Sequence, residues 1–454
     1  MNASLHIVIL AAGKGTRMYS KLPKVLHQIG GLPLVQHVIN TAQSLEPASI
    51  QVVIGHGKEQ VQAQIQSDVS WVVQDQQLGT GHAVKCALPN LPKDGKTLIL
   101  YGDVPLTDAE TLQPLLLQAG NEVGLLTDIL DHPQGLGRII RNEQGICAIV
   151  EEKDATPEQK AITEINTGIL VLPNSHLEKW LATLQNSNAQ GEYYLTDVIA
   201  LAVADGITVH GMTVRESHLA AGINNKLQLA EIERLYQLNQ ARALMTAGVT
   251  MRDPNRFDLR GSLSHGQDCV FDVGVVVEGT CILGDDVQIG AHCVLNNVTI
   301  GSGCHIAPFS HLSDCVVGSD ARIGPFARLR PNAHLGNDVH IGNFVEVKNT
   351  TIGNGSKVNH LTYIGDASIG TESNIGAGSI TCNYDGVNKF KTVIGDHVRI
   401  GSGTMMVAPV NIGDKATTGA GSVITKDCPA GQLTIGRARQ VSIDKWQRPE
   451  KDSK

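Results

Sequence analysis

The chain has 454 residues, 48 of them glycine, with 4% aromatics and a formal net charge of -8. That length implies two or three domains, and the acidic balance argues against nucleic acid as the main partner. No run of 18 apolar residues occurs, so no transmembrane helix is expected; Met1–Leu10 lacks a basic leader and a long apolar stretch, which makes the cytoplasm the expected compartment.

In chain order, His6–Leu10 is a short apolar run that opens into Ala11, Ala12, Gly13, Lys14, Gly15, Thr16 and Arg17. A buried strand entering a Gly-rich loop with basic residues can cradle phosphate, because glycines let backbone N–H groups approach the oxyanions. The loop is neither a Walker A motif nor the dinucleotide fingerprint, and G-x-G alone also suits a plain strand-to-loop turn. Pro23-Lys24 adds a cation; Gln74 precedes Leu78-Gly79-Thr80-Gly81-His82-Ala83. Thr97–Leu100 is an apolar strand ending in Tyr101, Gly102 and Asp103. An Asp at the carboxyl end of a parallel strand sits where open α/β sheets bind ligands and suits Mg²⁺; a turn or helix-cap Asp is its other reading. Apolar strands alternate with helical stretches to about residue 225, which predicts a layered, mostly parallel α/β domain over 1–225. Three polar segments follow, around Gly137, Glu151 and Asn166, and then Gly222-Ile223-Asn224-Asn225, where Asn224 also reads as a helix N-cap. Residues 226–248 predict one long helix with Leu227, Ile232, Leu235 and Leu238 as its apolar stripe. Residues 249–263, with Asp253-Pro254, read as an irregular linker.

From about Val270 to Ile424, within a predicted domain over 264–436, small aliphatic residues recur every six positions, as in Ile323, Leu329, Leu335, Ile341 and Val347. A period of six fits neither helix nor alternating strand; it fits a solenoid of short edges and tight corners. Cys269, Cys281, Cys293, Cys304 and Cys315 fall two repeats apart, as small inward residues would. The beat breaks between Ile380 and Ile394, where Thr381–Lys391 forms an insertion. Insertions in solenoids loop out on one face, frequently the binding face, and Arg330, Lys348, His360 and Tyr363 are nearby. Residues 437–454 are polar and basic, an arm or a frayed tail.

Leu10–Met18 followed by Pro23-Lys24, with the Gln74 and Leu78–Ala83 segments, resembles nucleotide-sugar pyrophosphorylases. Both halves in this order resemble the bacterial bifunctional N-acetylglucosamine-1-phosphate uridylyltransferase/glucosamine-1-phosphate acetyltransferase family, over nearly the whole chain. The resemblance implies a Rossmann-like nucleotidyltransferase domain followed by a left-handed parallel β-helix of hexapeptide repeats, and a homotrimer with acetyl-transfer sites between subunits. It implies acetyl-CoA and UTP as co-substrates, Mg²⁺ held by Asp103 and Asn224, and amino-sugar 1-phosphates as substrates. The nucleotide and sugar are assigned to Leu10, Ala11, Ala12, Gly13, Arg17, Lys24, Gln74, Gly79, Thr80, Tyr101, Gly102, Asp103, Gly137, Glu151, Asn166 and Asn224. The acetyl acceptor is assigned to Arg330, Lys348, Tyr363 and Asn374, with His360 as general base. The acetyl-CoA side is assigned to Ala377, Asn383, Tyr384, Ser402, Ala420 and Arg437. Val387-Asn388, after Asp385-Gly386, is one departure from the family pattern, in a loop.

An amine attacking a thioester must lose a proton, and an imidazole, titrating near neutrality, suits that role. Glu346 is a candidate to orient His360, and backbone N–H groups near Ala377 and Ser402 to stabilise the oxyanion. A single-activity nucleotidyltransferase with a purely assembling β-helix would not need His360 beside the insertion. A non-enzymatic scaffold would be free to lose Asp103, Lys24 and His360, yet all three are present.

Overall fold

The computed structural model describes residues 4–449 and 451. The chain divides into two compact units, Met1–Tyr236 and Gln237–Lys454, and no helix among the described residues is long and apolar enough to cross a membrane.

In the first unit a mixed sheet runs in the order 209–213, 123–129, 164–173, 96–101, 5–11, 49–54, 70–73. Its neighbours are parallel except around Glu164–Pro173, which runs antiparallel to both strands beside it. Strand Leu5–Ala11 lies at the centre, and its uninterrupted apolar run follows from burial on both faces. Ile7, Ile9 and Ala11 enter one core and Val8, Leu10 and Ala12 the other. The carboxyl ends of Leu5–Ala11 and Lys96–Tyr101 therefore open side by side, and Gly102 N–H donates to Leu10 C=O at 2.9 Å.

The helix Lys226–Thr246 begins in this unit, where Ile232 packs with Ile29, Leu34 and Ile223. Leu227, placed in its apolar stripe by the sequence, is instead 69% exposed. The far end of the helix belongs to the second unit. There the Gln237 carboxamide accepts from Leu259 N–H at 2.6 Å and donates to Leu259 C=O at 3.0 Å.

The second unit is a left-handed parallel β-helix. Ile289, Ile306, Ile323, Ile341, Val358, Ile375 and Ile400 stack in register on one face. Leu295, Leu312, Leu329, Val347 and Ile364 stack on the second; Ile300, Val317, Leu335, Ile352, Ile369, Ile394 and Ile412 stack on the third. Burying each such side chain contributes about 1.5–3 kcal/mol relative to exposure, so the six-residue beat is the prism's stabilising core. The cysteines sit inward among them. Cys293 Sγ donates to Ala307 C=O at 3.2 Å, and burial pushes the Cys293 thiol up to about 11 and the Cys315 thiol up to about 12.

Residues 249–263 are not an irregular linker. Thr250–Met251 pairs with Val270–Phe271, and Asp258–Ser264 pairs with Val276–Ile282, so they form the first coil. Phe257 and Leu259 supply its inward side chains, and Asp253-Pro254 makes a corner, not a break.

One corner of the prism carries a row of left-handed residues: His292, Phe309, Phe326, Phe344 and Leu361, then Gly378, Gly403 and Gly421. The Phe309, Phe326 and Phe344 rings stack with centroids 5.0 and 5.3 Å apart. Such stacking contributes about 0.5–1.5 kcal/mol per pair, comparable to the roughly 1–2 kcal/mol that a non-glycine residue costs in this backbone region. The rings remain about half exposed (51%, 47% and 55%). Above Leu361 the corner turns from bulky to bare, with Gly378, Gly403 and Gly421 in the row.

Candidate functional site

In the first unit Leu10, Ala11, Ala12, Gly13, Lys24, Gln74, Gly79, Thr80, Tyr101 and Asp103 line one cavity of about 490 Å³. Ten residues assigned to the nucleotide thus converge. Gly15 takes φ +61°, and a Cβ there would fall 2.6 Å from Lys24 Cβ, so glycine lets Lys24 lie against the loop. Gln77 and Glu192 also line this cavity; no spacing in the sequence distinguishes them.

A second cavity of about 480 Å³ shares Tyr101 and Asp103 and adds Asn166, Gly222 and Asn224. Gly137 C=O accepts from Asn166 N–H at 2.9 Å, and a Cβ on Gly137 would meet the Glu151 carboxylate at 3.4 Å. The three sugar-side residues are therefore neighbours. Glu151 accepts from Thr196 Oγ1 at 3.0 Å, and burial raises its carboxyl above the ordinary glutamate value. Burial, with Glu151 and Asp103 nearby, also raises Tyr101, which keeps its proton.

Where the cavities meet, the Lys24 ammonium bonds both Asp103 Oδ2 and, at 3.1 Å, Asn224 Oδ1. Arg17 Nη2 donates to the same Asn224 oxygen at 3.0 Å. Ile223 N–H to Asp103 C=O, at 2.9 Å, ties the Asp103 and Asn224 segments together. Two hard oxygens directed at a single cation form a donor pair suited to a small divalent ion that keeps water and phosphate as its remaining ligands.

In the second unit, His360, Ala377, Ser402 and Ala420 form a vertical row at the bare part of the corner. Gly378 N–H donates to His360 C=O at 3.0 Å, Gly403 N–H to Ala377 C=O and Gly421 N–H to Ser402 C=O, both at 2.7 Å. Because the Gly378 and Gly403 amides are bound within this ladder, they are not the oxyanion donors. Gly378 takes φ +71° with no side chain nearer than 3.9 Å to its Cβ position, which leaves open space above the ladder.

His360 Nδ1 lies 3.0 Å from Asn343 Oδ1, one coil below. Glu346, the candidate from sequence, does not orient it: its carboxylate bonds Arg330 Nη1 at 2.7 Å. A carboxylate is a natural partner for an imidazole, but the coil-to-coil register pairs His360 with Asn343. Lys348 lies on the same sheet as Arg330 and Tyr363. Lys389, from the insertion, meets Lys348, and the adjacent ammonium holds the Lys348 pKa below the ordinary lysine value. Lys389 was not legible as a site residue, because loop lysines are ordinarily solvated.

The insertion is a tight hairpin. Tyr384 bridges Lys389, Phe390 N–H donates to Asn383 C=O at 2.8 Å, and the Asp385 carboxylate accepts from the Val387 and Asn388 amides, which lowers its pKa. Asn383 is buried and donates to Asp366, while Tyr384 is 61% exposed. Asn374 stands on the neighbouring face, paired with Lys357 and Arg399, apart from Arg330 and Lys348. Arg437 follows Gly436, whose amide bonds Ser422 Oγ at 3.2 Å, so the exposed arm leaves from the coil that bears Ala420.

Residues 7–136 match the model of the MobA-like NTP transferase domain, and residues 312–412 that of the GMPPB C-terminal domain. The chain is 65% identical to the bifunctional protein GlmU of Neisseria meningitidis serogroup B, covering 99% of each chain. It is 63% identical to GlmU of Chromobacterium violaceum, again over 99% of each, and 58% identical to that of Stutzerimonas stutzeri, over 99% of this chain and all of that one. The two sites define a nucleotidyltransferase and an acetyltransferase carried on one polypeptide. The chain belongs to the GlmU family of bifunctional enzymes.

Proposed function

We propose that the two sites act on one amino-sugar phosphate in sequence. The β-helix acetylates glucosamine 1-phosphate from acetyl-CoA, and the N-terminal unit then transfers UMP from UTP to N-acetylglucosamine 1-phosphate, releasing pyrophosphate. The observation that carries this reading is that each unit holds its own charged cluster: Lys24, Arg17, Asp103 and Asn224 in one, Arg330, Lys348 and Lys389 in the other.

In acetyl transfer, Arg330, Lys348 and Lys389 hold the phosphate. His360 Nε2 takes a proton from the amine as the N–C bond forms; the C–S bond then breaks, and the coenzyme thiolate leaves and is protonated by the imidazolium. Ala377, Ser402 and Ala420 border the acetyl-CoA, with Asn383, Tyr384 and Arg437 beside it, and Tyr363 and Asn374 hold the acceptor. In uridylyl transfer the sugar phosphate attacks the α-phosphorus, and Arg17 and Lys24 offset the charge that develops. Asp103 and Asn224 would hold Mg²⁺, which when bound supplies Lewis-acid stabilisation of phosphoryl oxygens.

We further read the chain as a cytoplasmic homotrimer. Two features support self-association: the half-exposed Phe309, Phe326, Phe344 and Leu361 row, and an exposed arm bearing Val441, Ile443 and Trp446. Asn374 standing away from Arg330 also suits a site shared between subunits. Mass detection of products from UTP, acetyl-CoA, Mg²⁺ and glucosamine 1-phosphate tests the sequence. The result expected is UDP-N-acetylglucosamine, with only N-acetylglucosamine 1-phosphate when UTP is omitted. A uridylylated sugar that requires no acetyl-CoA would overturn the order.

A further inference from the structure

Gln74 is buried, 3% exposed, at the wall of the nucleotide cavity. Its Nε2 lies 3.1 Å from Gly79 C=O and 3.0 Å from His82 Nδ1. A carbonyl oxygen can only accept, so the amide atom facing Gly79 is the nitrogen. That nitrogen has only protons to offer, so His82 Nδ1 must also accept. His82 is then neutral, with its proton on Nε2, which faces Cys86 Sγ at 3.9 Å. Both Gln74 N–H groups are directed at these two acceptors. The Gln74 oxygen, with no partner among the described residues, is left to the cavity. His82 does not line that cavity. It borders a separate one of about 280 Å³ with Leu78, Lys85, Cys86, Leu184 and Tyr193, so any effect of His82 on the nucleotide passes through Gln74.

We infer that His82 is a positioning residue that locks the Gln74 carboxamide with its oxygen toward the base, and thereby selects the pyrimidine edge. The inference rests on the reading of Gln74 as a base contact. An amide oxygen fixed there accepts from the imide N–H of uracil. Cytosine presents a lone pair at the same ring position, and the two acceptors face each other with no proton between them. A carboxamide free to rotate would serve both bases. Selectivity therefore comes from the two acceptors behind the amide, of which only His82 is a side chain that substitution can remove.

The test measures uridylyl transfer by the full chain with UTP and CTP as competing donors. His82→Phe removes the acceptor and retains a flat ring. It is expected to lower the UTP-over-CTP ratio of kcat/KM about tenfold, the worth of one hydrogen bond, through a higher KM for UTP. The kcat at saturating UTP and the acetyl-transfer rate should stay at the parent level. His82→Gln restores an acceptor and is expected to recover most of the ratio. If His82→Phe and His82→Gln lose the ratio equally, the lost acceptor is not the cause and the proposal falls. Gln74→Ala separates the two layers. If it leaves the ratio intact, Gln74 does not read the base. If it collapses the ratio while His82→Phe does not, Gln74 reads the base without help from His82. An independent measurement needs no variant: ¹⁵N NMR of histidine-labelled protein should show His82 protonated at Nε2, and a proton on Nδ1 overturns the lock.

Discussion

Asn343→Ala isolates the group that holds the His360 imidazole, the proposed base. Its Oδ1 accepts from His360 Nδ1 at 3.0 Å, which places the base lone pair on Nε2. Removing that acceptor costs one exposed hydrogen bond, at most about 1 kcal/mol, so acetyl-transfer kcat should fall by up to roughly fivefold. His360→Ala should fall by about 10²–10⁴, the usual worth of general-base catalysis. Because Asn343 acts only through the ring, its deletion in the His360→Ala background should cost nothing more. The assay is coenzyme A release under saturating acetyl-CoA and glucosamine 1-phosphate, with KM for the sugar as control. That KM should hardly move if, as proposed, Arg330 and Lys348 hold the phosphate. A further fivefold loss in the double variant would refute the reasoning, as would His360→Ala retaining more than a tenth of parent kcat.

Asp103→Ala removes half of the oxygen pair beside Lys24 and should depress uridylyl transfer on the order of 10²-fold or more, with acetyl transfer unchanged; joint loss in a folded variant contradicts two separate sites. Lys348→Ala and Lys389→Ala should each raise KM for glucosamine 1-phosphate before kcat, read from initial rates. If the chain is the proposed trimer, light scattering should show Phe326→Asp with Phe344→Asp dissociated and a fragment beginning at Gln237 still trimeric. Burial raises the folded-state pKa of Glu151, so its stabilising influence is fully present below the ordinary glutamate value near 4.5 and is lost as pH rises through the raised one. Glu151→Gln should therefore melt higher than the parent at neutral pH, with the difference closing as pH falls toward that value.

The solenoid was legible because aliphatic residues recur at a fixed inward position and the corners between them are short. Its first coil was not: Phe257 and Leu259 sit in a segment whose Asp253-Pro254 looks like a break, and only pairing with Val276–Ile282 shows the coil. The same limit applies to the acetyl-transfer site. His360 and Lys348 are chemically conspicuous, but Asn343 and His360 are 17 residues apart and meet only through coil register. Glu346 looked suited to the histidine until Arg330 took its carboxylate. In the first unit the loop and strand-end residues were legible because sheet topology brings strand termini together. His82 stands out in the sequence only as part of a motif, since nothing in a linear sequence shows which way a carboxamide turns.

The row from His360 through Ala377 and Ser402 to Ala420 gives the β-helix the character of a gauge. Successive members are one strand spacing apart, so the row extends roughly 14 Å along the axis from the proposed base to the far end of the proposed donor track. Distance along that track is counted in whole coils and is independent of the chemistry at its foot. Adding or removing a coil above Ala377 would lengthen or shorten the track by one rung and leave His360, Asn343, Arg330 and Lys348 untouched. A protein built this way can be refitted to a longer or shorter acyl carrier without redesigning its reaction.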